Sequence, residues 1–279
     1  MTPWVETAAG PLPPVEGGFT MKRRAPNPAL QGDIVDIIGY QEHLAGYFRQ
    51  IEPASLIVPL IISFGDPFAI GLGRLPGRND SYGSFAAGLY GGPVLIDSFG
   101  SACCIQVNFT PPGAYRFFGL PMHELADRIV ALNDIYGSEA ITLRDRLGEQ
   151  PDWDRRFDLI EAFIQPRLAA SESPSSATAW AYAELLRSSG TERVETIASK
   201  LEWSRKHLAA KFHAEIGLAP KTVSRMVRFN RAIRLARRRS DGGWAGIAAE
   251  CGYADQAHLV REFVEFAGET PTAWAARLV

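Results

Sequence analysis

Between positions 193 and 239 the chain carries 13 basic and 3 acidic residues. A surplus that dense draws a polyanion, because each cation brought to a phosphate releases a condensed counterion. A solvated charged face is the alternative that charge by itself leaves open. Other reactive sets are sparse. The five histidines, His43, His123, His207, His213 and His258, show no His-x-His or Glu-x-x-His spacing, so a bound metal or metal catalysis is not expected. Cys103 and Cys104 are adjacent, and on a strand they point to opposite faces, which disfavours a bridge between them. Gly71-Leu72-Gly73 is followed by Arg74-Leu75-Pro76 and opens no helix, so it does not read as a phosphate loop. No catalytic residue and no cofactor is expected, and the chain does not read as an enzyme.

Two repeated segments must position whatever the basic stretch binds. Val194–Phe212 reads as a short helix, a break at Glu202-Trp203-Ser204, and a second helix. Ile247–Phe263 reads the same way, with its break at Gly252-Tyr253-Ala254-Asp255. Ile197, Leu201, Leu208, Phe212 and Ile216 in the first, and Ile247, Cys251, Leu259, Phe263 and Phe266 in the second, recur at three- and four-residue steps that bury one face. Ser204 and Asp255 stand where an N-cap oxygen is needed. Gly217 and Gly268 stand where a left-handed C-cap is needed. Pro220–Arg239 reads as a connecting helix with an apolar stripe of Met226, Phe229, Ile233 and Ala236. Lys221, Arg225, Arg228, Arg231, Arg234 and Arg238 are expected on its opposite arc. Paired helices joined by a tight turn are the helix-turn-helix pattern, whose second helix enters a major groove.

The remainder is of a different kind. Net charge is −2 over 279 residues, yet residues 1–190 hold 14 basic against 21 acidic, so the basic surplus belongs to the C-terminal part alone. Three cysteines, an odd number, argue against a disulfide framework and fit a reducing cytoplasm. No stretch approaches the roughly 20 apolar residues that cross a bilayer. Residues 1–29, rich in proline, read as a flexible arm. Residues 30–170 read as a β-rich sensor or dimerisation domain: runs at Ile34–Ile38, Leu56–Phe64 and Ala102–Phe109 alternate or are β-branched, with Gly/Pro breaks between them. A small barrel or sandwich of cupin-like shape is expected, followed by helices at Pro121–Leu132, Ser138–Gly148 and Trp153–Ala170. The serine-rich stretch 171–176 reads as a linker, and 177–279 as an all-α domain opened by a helix at Ala177–Arg187. The fold class is α+β.

Gly252-Tyr253, His258-Leu259, Arg261-Glu262-Phe263 and Gly268-Glu269-Thr270-Pro271 together make residues 191–277 resemble the AraC/XylS family of bacterial transcription regulators. The resemblance implies two helix-turn-helix units on a long helix, often with an N-terminal sensing and dimerising domain. It implies base reading by Arg205, Lys206, Ala209 and Ala210 in the first unit and by Gln256, Ala257, Val260 and Arg261 in the second. Those positions stay outward once Leu208, Phe212, Leu259 and Phe263 are buried. Arg261 suits guanine, Gln256 adenine, and Ala257 or Val260 a thymine methyl, although Arg261 could instead clamp a phosphate, Glu262 or Glu265. Ser204, Lys211, Lys221, Arg225, Arg228 and Asp255 are expected along the phosphates. Ala209 and Ala210 are small where the family often places long polar side chains, so the first unit is expected to lean on Arg205, Lys206 and phosphate contacts. Double-stranded promoter DNA is the expected partner, with a small-molecule effector, RNA polymerase and a second copy of the chain also in view, in a bacterial cytoplasm at the nucleoid. A constitutive dimer without effector, or an enzyme-like barrel fused to a DNA-binding module, are the competing readings.

Overall fold

The computed structural model describes residues 18–43, 46–238 and 243–277. Strands β1 (Phe19–Arg24), β2 (Ile34–Glu42), β3 (Phe48–Glu52), β4 (Val58–Ser63), β5 (Phe68–Leu72), β6 (Ser81–Tyr82), β7 (Phe85–Ala87), β8 (Val94–Ser98) and β9 (Cys103–Phe109) come first. Helix α1 (Pro111–Phe118), strand β10 (Ile129–Ala131) and helices α2 (Leu132–Tyr136), α3 (Ser138–Glu149) and α4 (Trp153–Ala170) follow. All-helical chain completes the fold: α5 (Ser176–Arg187), α6 (Val194–Lys200), α7 (Arg205–Glu215), α8 (Pro220–Arg238), α9 (Trp244–Glu250), α10 (Gln256–Ala267) and α11 (Pro271–Ala276).

The strands make two antiparallel sheets, one ordered β1-β2-β9-β4-β7-β10 and the other β3-β8-β5-β6. Period-two alternation divides the larger sheet into two apolar faces. Ile37, Leu60, Ile62, Ile105 and Val107 point toward the helices and join the main core. Ile61, Phe85 and Cys104 point toward the smaller sheet. Cys103 and Cys104 therefore diverge as strand geometry requires: Cys104 lies between the sheets, while Cys103 lies near Arg156, and both are free. Thr110 caps α1 by accepting from Gly113 N, and Asp152 caps α4 by accepting from Arg155 N.

Two expectations are corrected. Pro121–Leu132 is not a helix. A single 3-10 turn at Met122–Glu124 is followed by β10, which pairs with β7. Asp127, with φ of 57°, breaks any helix there, and the β-branched pair Ile129-Val130 is used to extend a sheet edge. The flexible arm expected over 1–29 fails at Phe19–Arg24, which pairs along its whole length with β2; residues 1–17 lie outside the described residues. Arg24 is tied to Asp158 and Glu161 of α4, so the basic triplet Lys22-Arg23-Arg24 is partly structural.

The main core runs without interruption from Leu30 through the helices to Trp274. The two halves meet directly. Ala54 N donates to Phe266 O (2.8 Å), and Asn230 Nδ2 donates to Ala54 O (3.2 Å). At Gly217 a Cβ would stand 3.4 Å from Met122 O, and at Gly268 one would stand 3.1 Å from Pro93. Both glycines have positive φ, and both pack close to the β-rich half.

Candidate nucleic-acid interface and inter-sheet cavity

Each helix-turn-helix is built from the same local parts. In the first, α6 stops at Leu201, Glu202 takes φ of 56°, and Trp203 N returns to Ala198 O at 2.9 Å. In the second, α9 stops at Cys251, Gly252 takes φ of 76°, and Tyr253 N returns to Ala248 O at 3.0 Å. The second turn then spends one extra residue, Ala254, before its cap. Ser204 Oγ accepts from His207 N and Asp255 Oδ1 from His258 N, so both expected N-caps form. Apolar spacing fixes the roll of each second helix. Leu208 and Phe212 are buried in α7, and Leu259, Phe263 and Phe266 in α10.

With those faces sealed, Arg205, Lys206 and Ala210 are exposed on α7 and Ala209 is half-buried. On α10, Gln256, Ala257 and Arg261 are exposed and Val260 is half-buried. Arg205 Nη1 donates to Glu195 Oε1 at 3.2 Å across the surface. Lys206, Lys221 and Arg261 form no ion pair among the described residues.

The expected phosphate contacts divide. Lys221 is exposed, and Lys211 is half-buried beside Glu215 at 3.3 Å. Ser204 Oγ and Asp255 Oδ1 are committed to capping. Arg225 and Arg228 do not stand on an outward arc. Arg225 Nε donates to the buried Glu262 Oε1 at 2.8 Å, and its other nitrogens fork onto Glu265. Arg228 Nη2 donates to the same Glu262 oxygen at 3.1 Å, and its guanidinium lies over the Tyr253 ring at 5.3 Å. Arg231 pairs with Glu250 at 3.6 Å. The cationic side of α8 is therefore turned in large part toward the second helix-turn-helix, and the acidic surplus of residues 240–279 is what it meets. Sequence spacing showed the outward arc of one helix. It could not show that α9 and α10 would cover that arc. Glu262, which entered only as an alternative partner for Arg261, is the anchor. The signal that was available is the i, i+3 pair Arg225/Arg228 beside an acidic second unit.

A second site lies between the sheets. Two adjoining cavities of about 110 and 100 Å³ are lined in common by Glu52, Ile61, Ile70, Phe85, Ile96 and Gln106. A single water needs roughly 10–15 Å³ of such space, so the pair has room for a small organic molecule. The apolar runs 56–64 and 102–109 contribute Ile57, Pro59, Ile61, Cys104 and Gln106, and most of the lining comes from other segments. Among the described residues no group of three or more His, Cys, Asp or Glu is placed to hold a metal ion, and no helix is long and apolar enough to cross a membrane.

Residues 197–277 match the family model described as a helix-turn-helix domain. Over those residues the C-terminal part of the chain is similar to that helix-turn-helix family. No curated protein matches the chain in sequence. Among solved structures, that of ToxT from Vibrio cholerae O395 is similar at 12% identity, covering 95% of this chain and 99% of that one, with a TM-score of 0.47. Unsaturated fatty acid-bound ToxT from Vibrio cholerae strain SCE256 is similar at 12% identity, covering 93% and 95%, with a TM-score of 0.45. The AraC-like transcriptional activator CuxR is similar at 16% identity, covering 79% and 87%, with a TM-score of 0.23.

Proposed function

We propose that the chain is a sequence-specific DNA-binding transcription regulator, ligand-responsive through its N-terminal half and without enzymatic activity. Residues 30–170, extended by β1, would form the sensor, 171–176 the linker and 177–279 the reading domain, at work in a bacterial cytoplasm. One observation carries this reading. Both copies of the helix-turn-helix bury the same apolar face and leave the same short set of positions exposed at the start of the second helix. On the second unit Arg261 pairs with guanine, Gln256 with adenine, and Ala257 or Val260 meets a thymine methyl. On the first, Arg205 and Lys206 dominate. Phosphate affinity comes from Lys206, Lys211 and Lys221 rather than from Arg225 and Arg228, whose charge is spent on Glu262 and Glu265.

Selection of binding sites from random DNA, followed by footprinting with and without candidate metabolites, tests the reading. A defined site, steep loss of affinity with added salt and a ligand-dependent footprint are expected. Sequence-independent binding would remove it. A second measurement apportions the two units. Arg261→Ala should relax selectivity at one base pair, a cost of roughly 1–3 kcal/mol. Lys206→Ala should weaken all sequences alike and reduce the salt slope by about one.

A further inference from the structure

The cavity between the sheets is walled by apolar side chains such as Ile38, Phe48, Ile61 and Phe68, and three charged residues border it: Arg23, Glu42 and Glu52. Two of the three are already answered. Arg23 Nε lies 3.3 Å from Asp36 Oδ2. Glu42 accepts from the Tyr40 hydroxyl at 2.9 Å and from the backbone amides of Gly100 and Ala102. Glu52 is different. It borders both cavities, and the one hydrogen bond to its carboxyl among the described residues comes from Gln50 Nε2, at 2.9 Å. Burial pushes its carboxyl above the ordinary value, with no opposing charge to bring it back.

An occupant must reckon with that group. A carboxylate would meet like charge in a half-buried space, and a purely apolar molecule would leave Glu52 with Gln50 as its one partner. A protonated amine answers both demands: it supplies the missing charge and up to three donors. We propose that this cavity binds a small apolar amine whose ammonium seats on Glu52, and that the DNA-binding half reads its presence through the segment Glu52–Ala54. The proposal rests on reading the N-terminal half as a sensor.

The relay is short. Glu52 ends β3, Pro53 fixes one backbone torsion, and Ala54 bonds both to Phe266 at the end of α10 and to Asn230 of α8. Pro53 and Ala54 also line the second cavity. A ligand that moves Glu52 thus bears, two residues later, on the helix carrying Arg261 and on the rod that holds it.

The test uses the full chain and a series of primary amines from butylamine to 2-phenylethylamine, each with its matched alcohol and carboxylate, titrated calorimetrically. An amine should bind at a single saturable site about tenfold or more tighter than its alcohol or carboxylate. Glu52→Gln, its fold checked by thermal melting, should lose that preference and keep the alcohol's affinity. Amine and alcohol binding alike, with no effect of Glu52→Gln, overturns the headgroup assignment while leaving the sensor reading intact. Failure of every amine to bind overturns the proposal, and the ligand-dependent footprint above decides the sensor reading separately. For the relay, saturating amine should change affinity for the selected DNA site by about fivefold or more, with reciprocal effect of the DNA on the amine. Asn230→Ala should leave amine binding within about twofold and bring that factor close to one. Undiminished coupling in Asn230→Ala, or none in the parent protein, overturns the relay.

Discussion

At the scale of single residues, the two turns put one backbone demand to two different side chains. Both Glu202 and Gly252 sit in the left-handed region, where a Cβ costs about 1–2 kcal/mol. Gly252 meets the demand without strain, and space is short as well: an added Cβ would lie 2.9 Å from Thr191 Cγ2. Gly252→Ala should therefore destabilise the protein by roughly 1–2 kcal/mol, read as a lower midpoint in urea. An unchanged midpoint would show that Gly252 is not held in that conformation. Residue type also decides which cations are free for a ligand. Lys206 and Arg261 project from exposed positions, whereas Arg225 and Arg228, equally basic, are drawn inward by Glu262.

At the scale of elements, the joint between α8 and the second helix-turn-helix is an ionic clamp on an aromatic bed. Phe229, Phe263, Phe266 and Trp274 pack edge to face or tilted around it, and Arg225 covers the Phe266 ring at 4.8 Å. Glu262 is 4% exposed, so removing it leaves two guanidinium groups short of their partner. Glu262→Ala should cost about 3–5 kcal/mol. Hydrogen exchange should show α9 and α10 losing protection before α6 and α7; uniform loss would refute a local clamp. A second ionic joint ties α5 to α6. Glu184 accepts from Arg187 and lies 3.5 Å from Lys200, and Arg187 holds its carboxyl down at about 2, against 4.5 for the free group. Because the folded value is below the unfolded one, this stabilisation is complete above about pH 4.5 and disappears as pH falls toward 2. Glu184→Gln should lower the melting temperature at pH 7 and leave it nearly unchanged near pH 2. An equal effect at both would exclude the ion pair as the cause.

At the scale of the whole molecule, the β-rich half and the helical half share buried side chains and a backbone bond, Ala54 to Phe266. Thermal unfolding should then be a single transition, with far-ultraviolet circular dichroism and tryptophan fluorescence coincident. Two separated steps would show that the shared core contributes little. The sequence by itself determined the helix-turn-helix units, their caps at Ser204 and Asp255, the outward set on α7 and α10, and the paired faces of Cys103 and Cys104. All of these follow from periods of 3.6 and 2 acting within a dozen residues. Tertiary structure decided that Ile129–Ala131 would be a strand on β7, that Phe19–Arg24 would leave the arm for β2, that the cations of α8 would turn to Glu262 and Glu265, and that Glu52 would face an apolar cavity. Each of those depends on a partner more than a dozen residues away in the chain, and local periodicity carries no information about which distant surface will cover a given face.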